Sequence, residues 1–332
     1  MVNSNPLAVR VVAPARLHLG FLDPSATLGR RFGSIGLAIE GLSTTLVAEH
    51  CETLEVVGPE QARARALAER VIHHFGLPPG VRLNVESAIP GHAGLGSGTQ
   101  LALAVGHALT RLHGVEVDTA GIGAVLGRGR RSGIGLSLFD RGGLIVDAGH
   151  GAATVTPPLV SRMDFPDWPV VLVFDHAVEG LSGGAETAAF ATLEPLPQAA
   201  AAHLCHLTLM RLLPALAEHD FTPFAASLGE IQAVVGDHFA GVQAGRYASA
   251  RVGRVIDLLT QRHGLAGVGQ SSWGPTAFVV VPDADTARRV LASLHEAFPA
   301  EPGLEFRVVT ARNLGATVTA EVAAPARRRA GG

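Results

Sequence analysis

The chain has 332 residues, 47% of them hydrophobic and 17% charged, which is enough for roughly two domains of about 150 residues and too apolar for a disordered chain. A net charge of −3 gives no reason to expect a nucleic-acid partner. All 26 basic residues are arginine, so a lysine Schiff base, lysine-bound pyridoxal phosphate and a Walker-type lysine are excluded, and any phosphate must be held by guanidinium groups, backbone amides, hydroxyls or a metal.

The two cysteines, Cys51 and Cys205, lie far apart and have no partner at metal-ligand spacing. Residues 1–14 lack the cationic and apolar segments of a secretory signal, and the apolar runs break before the ~20 residues needed to span a bilayer. A cytoplasmic protein with no membrane partner is expected.

A short strand is predicted over residues 7–13, ended by Pro14. β-rich runs follow at 36–40, 43–47 and 53–57, then a helix over 59–75 stopped by Gly76. Val81, Leu83 and Val85 alternate with polar residues as in a half-buried strand. A loop over 88–98 leads into an apolar helix over 99–113, and further helix is predicted over 117–131 before a strand at 142–147.

A proline-rich crossover, 152–169, precedes a buried strand at 170–174. Helices are predicted over 185–192, 197–218, 221–239 and 246–263, and the chain ends in a β-α-β unit at 277–281, 286–298 and 304–310. Strands and helices do not alternate strictly, so the class is α+β rather than a doubly wound sheet.

Three segments carry chemistry. The loop Gly94-Leu95-Gly96-Ser97-Gly98-Thr99-Gln100 lies between a strand and a helix. Its glycines let backbone approach a ligand, and the helix start points free amides at an anion; the same residues could also form a simple turn with Thr99 as the N-cap. Its spacing fits neither the Walker loop nor the dinucleotide fingerprint.

Gly269-Gln270-Ser271-Ser272-Trp273-Gly274-Pro275-Thr276 gathers hydroxyls and an amide around a tryptophan, which either stacks on a ligand or packs in the core. Arg16 and His18, two apart on a strand, face one side, either toward an anion or into structural contacts. Arg30, Arg31, Arg128, Arg130 and Arg131 cluster beside further glycines, as an anion site or as a solvated face. The run ending Phe174-Asp175 prompts comparison with common phosphoribosyltransferases but lacks their second adjacent acid and Thr-Gly loop.

Together these motifs, in this order, resemble those of the GHMP kinase superfamily. The runs 31–37, 94–100, 127–135 and 269–276 resemble one branch, the β-ribofuranosylaminobenzene 5′-phosphate synthases, over nearly everything from about 8 to 320. Galactokinase-like members carry an aspartate where this chain has Leu136; some GHMP kinases also lack it, and Asp140 is the nearest acid to stand in.

The resemblance implies a two-domain GHMP kinase fold: an N-terminal domain like ribosomal protein S5 domain 2 over 1–155, a ferredoxin-like domain over 165–322 and a disordered tail at 323–332. It implies condensation of 4-aminobenzoate with phosphoribosyl diphosphate, releasing carbon dioxide and diphosphate, with magnesium, no nucleotide and a homodimer; an ATP-dependent small-molecule kinase is the alternative. Catalysis would fall to Arg16, His18 and Asp140, and the metal to Ser97. Substrate would be held by Arg31, Ser34, Gly94, Gly96, Ser97, Gly98, Thr99, Gln100, Gln270, Ser271, Ser272, Trp273 and Thr276.

Overall fold

Pro14 does not end the first strand. In the computed structural model, which describes residues 6–181, 183–243, 245–299 and 301–321, β1 runs from Ala8 to Asp23. The register against β2 (Phe32–His50) shifts between Pro14 and Ala15, a bulge that tolerates a residue with no amide hydrogen. A second shift, between His18 and Gly20, redirects the strand again.

Five further strands complete the first sheet: β3 (Glu55–Val57), β4 (Val81–Ser87), β5 (Leu144–Asp147), β6 (Leu159–Met163) and β11 (Thr317–Glu321). Its order is β11-β1-β2-β4-β3, with β5 joined to β2 and β6. Two of these strands were not foreseen. β6 lies inside the expected crossover. β11 pairs antiparallel with Ala8–Val12, so residues 317–321 return to the first sheet rather than extending the second domain to 322. The expected tail at 323–332 lies outside the described residues.

Helices α1 (Gln61–Phe75) and α2 (Ser97–Leu112) cover one face, where Val9, Val11, Leu46, Leu83, Leu101 and Val105 share a core. The helix expected over 117–131 ends early. α3 (Thr119–Val125) is capped by Asp118 and followed by a loop whose Gly127 and Gly129 have positive φ, and a separate α4 spans Ile134–Arg141.

The second sheet, β10 (Leu304–Val309), β7 (Val170–Asp175), β9 (Ala277–Val280) and β8 (Val268–Gln270), is antiparallel throughout. The run Gln198–Ala217 is long and apolar enough to cross a membrane by composition alone. Even so, its Ala201, Leu204, Leu207, Leu212 and Leu216 lie in a core shared with Leu17, Leu19, Ile35, Leu172 and Phe224. That single core runs from β1 and β2 into the second sheet and the helix Phe221–Phe239, and it fixes the two halves against each other around the second half of β1.

Candidate active site

Three segments far apart in sequence meet at β1. The Arg16 amide donates to the Leu95 carbonyl at 3.1 Å, so the glycine loop lies along the strand. The His18 amide donates to Ser271 Oγ at 2.9 Å, and that hydroxyl donates to the Gly94 carbonyl at 2.7 Å. Gly94 is required here because a Cβ would fall 2.2 Å from the Ser271 carbonyl oxygen. Its bareness therefore serves contact between the two motifs. At Gly96 (φ +80°) a Cβ would lie 3.0 Å from Arg16 Cγ, so this glycine makes room for the Arg16 side chain, whose Nη1 donates to the Gly94 carbonyl.

Gly96 caps α2, and the helix start opens into a cleft of two adjoining chambers of about 270 Å³ each. The first lies over Gly96, Ser97 and Gly98 beside Arg63 and Arg128; the second is lined by His18, Phe21, Arg130, Arg131 and Ser132. Both share Arg16, Thr99, Arg128, Glu186 and Ser272. Five arginines thus face one acid, Glu186, and that acid is ion-paired to Arg131.

Arg63 pairs with Glu60 at 2.8 Å, but Arg128 forms no ion pair among the described residues and its Nε has no partner. Burial lowers the Arg128 pKa, and nearby Arg63 and Arg70 lower it further. Burial likewise brings Arg16 down to about 10, partly opposed by Glu186, so Arg16 stays cationic at neutral pH. The turn that carries Arg128 to Arg131 is anchored by Asp147, which accepts from the Gly133 amide at 2.9 Å. Uncompensated cations at a helix N-terminus form a site for a polyanion.

Beside the cations sits an aromatic wall. Phe21, Phe32, Phe190, Phe239 and Trp273 form one buried cluster in a protein with only 5% aromatic residues. Trp273 is 2% exposed and one face is covered by Phe239 at 4.3 Å, so it packs within the cluster and leaves no free face on that side for stacking. Buried His18 packs on Phe21 at 4.4 Å, in the wall between the second chamber and a smaller one of about 20 Å³ lined by Gln232, Tyr247 and Gln270.

Not every expected residue reaches the cleft. Asp140 lies elsewhere, accepting from the Thr119 hydroxyl at the junction of α2, α3 and α4. Gln100 is buried and donates to the Gly135 carbonyl at 2.9 Å, tying α2 to α4. Ser34 and Thr276 are fully buried outside the chambers. Arg31 is exposed, with Nε on the Pro24 carbonyl at 2.7 Å and its guanidinium over Phe32. Gln270 accepts from the Ala248 amide at 2.7 Å.

Arg63, Glu186 and Phe190 were not foreseen as site residues, whereas Arg128 was expected either at an anion site or on a solvated face. Arg128 had a visible signal, since it stands in the glycine–arginine run. Arg63 sits on an ordinary amphipathic helix and had none.

The GHMP kinases N terminal domain family matches residues 62–140, and the GHMP kinases C terminal family matches 212–300. The fold agrees: a Lactococcus lactis galactokinase superposes with a TM-score of 0.68 at 14% identity, covering 95% of this chain and 96% of that one. The protein is thus of the GHMP kinase class.

Within that class, a relative from Archaeoglobus fulgidus named beta-ribofuranosylphenol 5′-phosphate synthase is 34% identical, covering 93% of this chain and 99% of its own length. One of the same name from Methanothermobacter thermautotrophicus is 32% identical over 81% and 88%. A 4-diphosphocytidyl-2-C-methyl-D-erythritol kinase from Methylobacterium radiotolerans is 30% identical over 71% of each chain. The chain belongs to the beta-ribofuranosylphenol 5′-phosphate synthase family.

Proposed function

We propose that this protein joins C1 of 5-phosphoribosyl 1-diphosphate to the carboxylate-bearing ring carbon of a 4-substituted benzoate. One observation carries the reading: guanidinium groups with too few acid partners open directly onto a buried aromatic wall. A phosphorylated sugar diphosphate and an aromatic acid need those two surfaces side by side.

In the step, a bond forms between the ring carbon and ribose C1 while the C1–oxygen bond to diphosphate breaks. The ring–carboxyl bond then breaks, its electron pair restores aromaticity, and carbon dioxide leaves. No proton is removed from the ring carbon, so no general base is required there. His18, which burial and then Arg16 hold down to about 3, is neutral and suits hydrogen bonding rather than proton abstraction.

The amides at the start of α2, Arg16, Arg63 and Arg128 would bind and stabilise the departing diphosphate. Magnesium was expected at Ser97, but the donor set there does not fit a protein-held metal. Glu60 and Glu186 are committed to Arg63 and Arg131, and no cluster of three metal-ligating side chains occurs among the described residues. No step here depends on a metal.

The motif resemblance implies an amino group opposite the carboxylate, whereas the relatives' name implies a hydroxyl. The test is incubation with phosphoribosyl diphosphate and either acid, without nucleotide. Carbon dioxide and diphosphate should appear in equal amounts. Strict dependence on ATP, with phosphorylation of a small alcohol, would favour the kinase reading.

A further inference from the structure

His18 carries a donor that the fold leaves unused. Its side chain is 3% exposed, and Nδ1 accepts from the Gly20 amide at 3.3 Å, which places the ring proton on Nε2. Nε2 has no partner. A buried N–H left unpaired is costly, and in the wall of a cleft it marks a position for a ligand acceptor.

Three other polar side chains around the smaller chamber are already engaged. Gln232 donates to the Leu19 carbonyl at 2.8 Å and accepts from the Gln270 amide at 2.8 Å. Gln270 donates to the Ser272 carbonyl at 3.0 Å, and Arg246 is held by Asp237 at 2.7 Å.

Direction along β1 identifies the ligand atom. Arg16 lies against the glycine loop, at the anion end. His18 follows on the same face, two residues and therefore about 6.6 Å further, at roughly 3.3 Å per residue, with Phe21 beside it. In the reaction proposed above, the carboxylate-bearing carbon must meet ribose C1 near the anion end. The para substituent, at the opposite end of the ring, then points toward His18.

Resting on that reading, we propose that His18 Nε2–H donates to the para oxygen of the acceptor and so selects a 4-hydroxybenzoate over a 4-aminobenzoate. A hydroxyl or phenolate oxygen accepts such a bond. An aromatic amine, whose lone pair is drawn into the ring, accepts poorly and presents its own N–H groups to the donor. His18 is thus a specificity-determining residue.

The test uses three acids matched in size: 4-hydroxybenzoate and 4-aminobenzoate as substrates, and 4-methylbenzoate as an inhibitor. With the native protein, KM for the hydroxy acid should lie about 10- to 100-fold below KM for the amino acid and below Ki for the methyl acid, the usual range for one buried donor left unpaired. H18F keeps a ring against Phe21 but removes the donor. It should raise KM for the hydroxy acid and bring the two KM values within about threefold, while KM for phosphoribosyl diphosphate moves little.

The inference is overturned if the native protein treats hydroxyl and methyl alike, or if H18F keeps the preference. If H18F does not fold, the native series decides. If neither acid is turned over, the proposed reaction fails, and equilibrium binding of the three acids in the presence of phosphoribosyl diphosphate still tests the donor separately.

Discussion

Arg128 and Arg251 are both partly buried guanidinium groups, and they have opposite surroundings. Arg251 meets Asp175, whose carboxylate is fully buried at the end of β7 and also accepts from Ser249 Oγ at 2.5 Å and the Ala177 amide at 3.0 Å. Burial pushes the Asp175 carboxyl up, but Ser249, the Ala177 amide and Arg251 together outweigh it and hold it below its ordinary value. Arg128 faces Arg63 and Arg70, and it forms no ion pair among the described residues, the nearby Glu186 being held by Arg131. The first arrangement is complete within the chain and holds the fold together; the second leaves a guanidinium without an acid partner inside the chain. The contrast also weakens the comparison of the run ending at Asp175 with common phosphoribosyltransferases, because the Asp175 oxygens are engaged within its own domain.

The largest expected effect lies on the completed side. D175A should cost about 3–5 kcal/mol of stability by leaving Arg251 unpaired, with activity per folded molecule near wild type. Because the folded pKa is depressed, this stabilisation is present above the unfolded value of about 3.9 and is lost as pH falls through the folded one. Denaturant titrations across the acid range should therefore show a shallower acid loss in the variant.

On the incomplete side, R128A should lower kcat/KM for phosphoribosyl diphosphate by roughly 30-fold or more, equivalent to at least about 2 kcal/mol. Its melting temperature should hold or rise, since a cation among like charges has gone. Lost stability with unchanged activity would make Arg128 structural and break the comparison.

G96A sharpens the comparison at the loop. A side chain at φ +80° and 3.0 Å from Arg16 Cγ should cost about 1–2 kcal/mol by melting and also raise KM for phosphoribosyl diphosphate, because the same residue shapes the fold and places Arg16. The smallest effect is expected at an exposed pair. Arg10 and Glu86 meet at 2.6 Å on the surface, and R10A should change stability by only about 0–1 kcal/mol, shrinking further in salt.

The local parts of this protein were legible because their signals are local. The alternation around Val81 to Val85 became β4, the apolar run after Thr99 became α2, and the apolar run at Val170 became β7. The glycine loop, the Arg16 strand face and the Trp273 turn were each recognisable from residue type and spacing. Illegible in the sequence were the break after α3, where glycines with positive φ interrupt a helical pattern, and β11, whose pairing with β1 is set by a contact across nearly the whole chain.

What the sequence determined by itself was therefore chemistry and inventory: arginines as the only basic side chains, glycines at turns, and three motifs in a family order. Tertiary structure alone decided their use. It brought Arg63 and Arg128 to the loop, sent Asp140 to another face, spent Gly94 on contact with Ser271, and covered a face of Trp273 with Phe239. The physical reason is that residue type dictates what a group can donate, accept or neutralise, whereas whether it is already satisfied depends on neighbours hundreds of residues away, as when the His18 amide takes Ser271 and its Nε2 finds nothing.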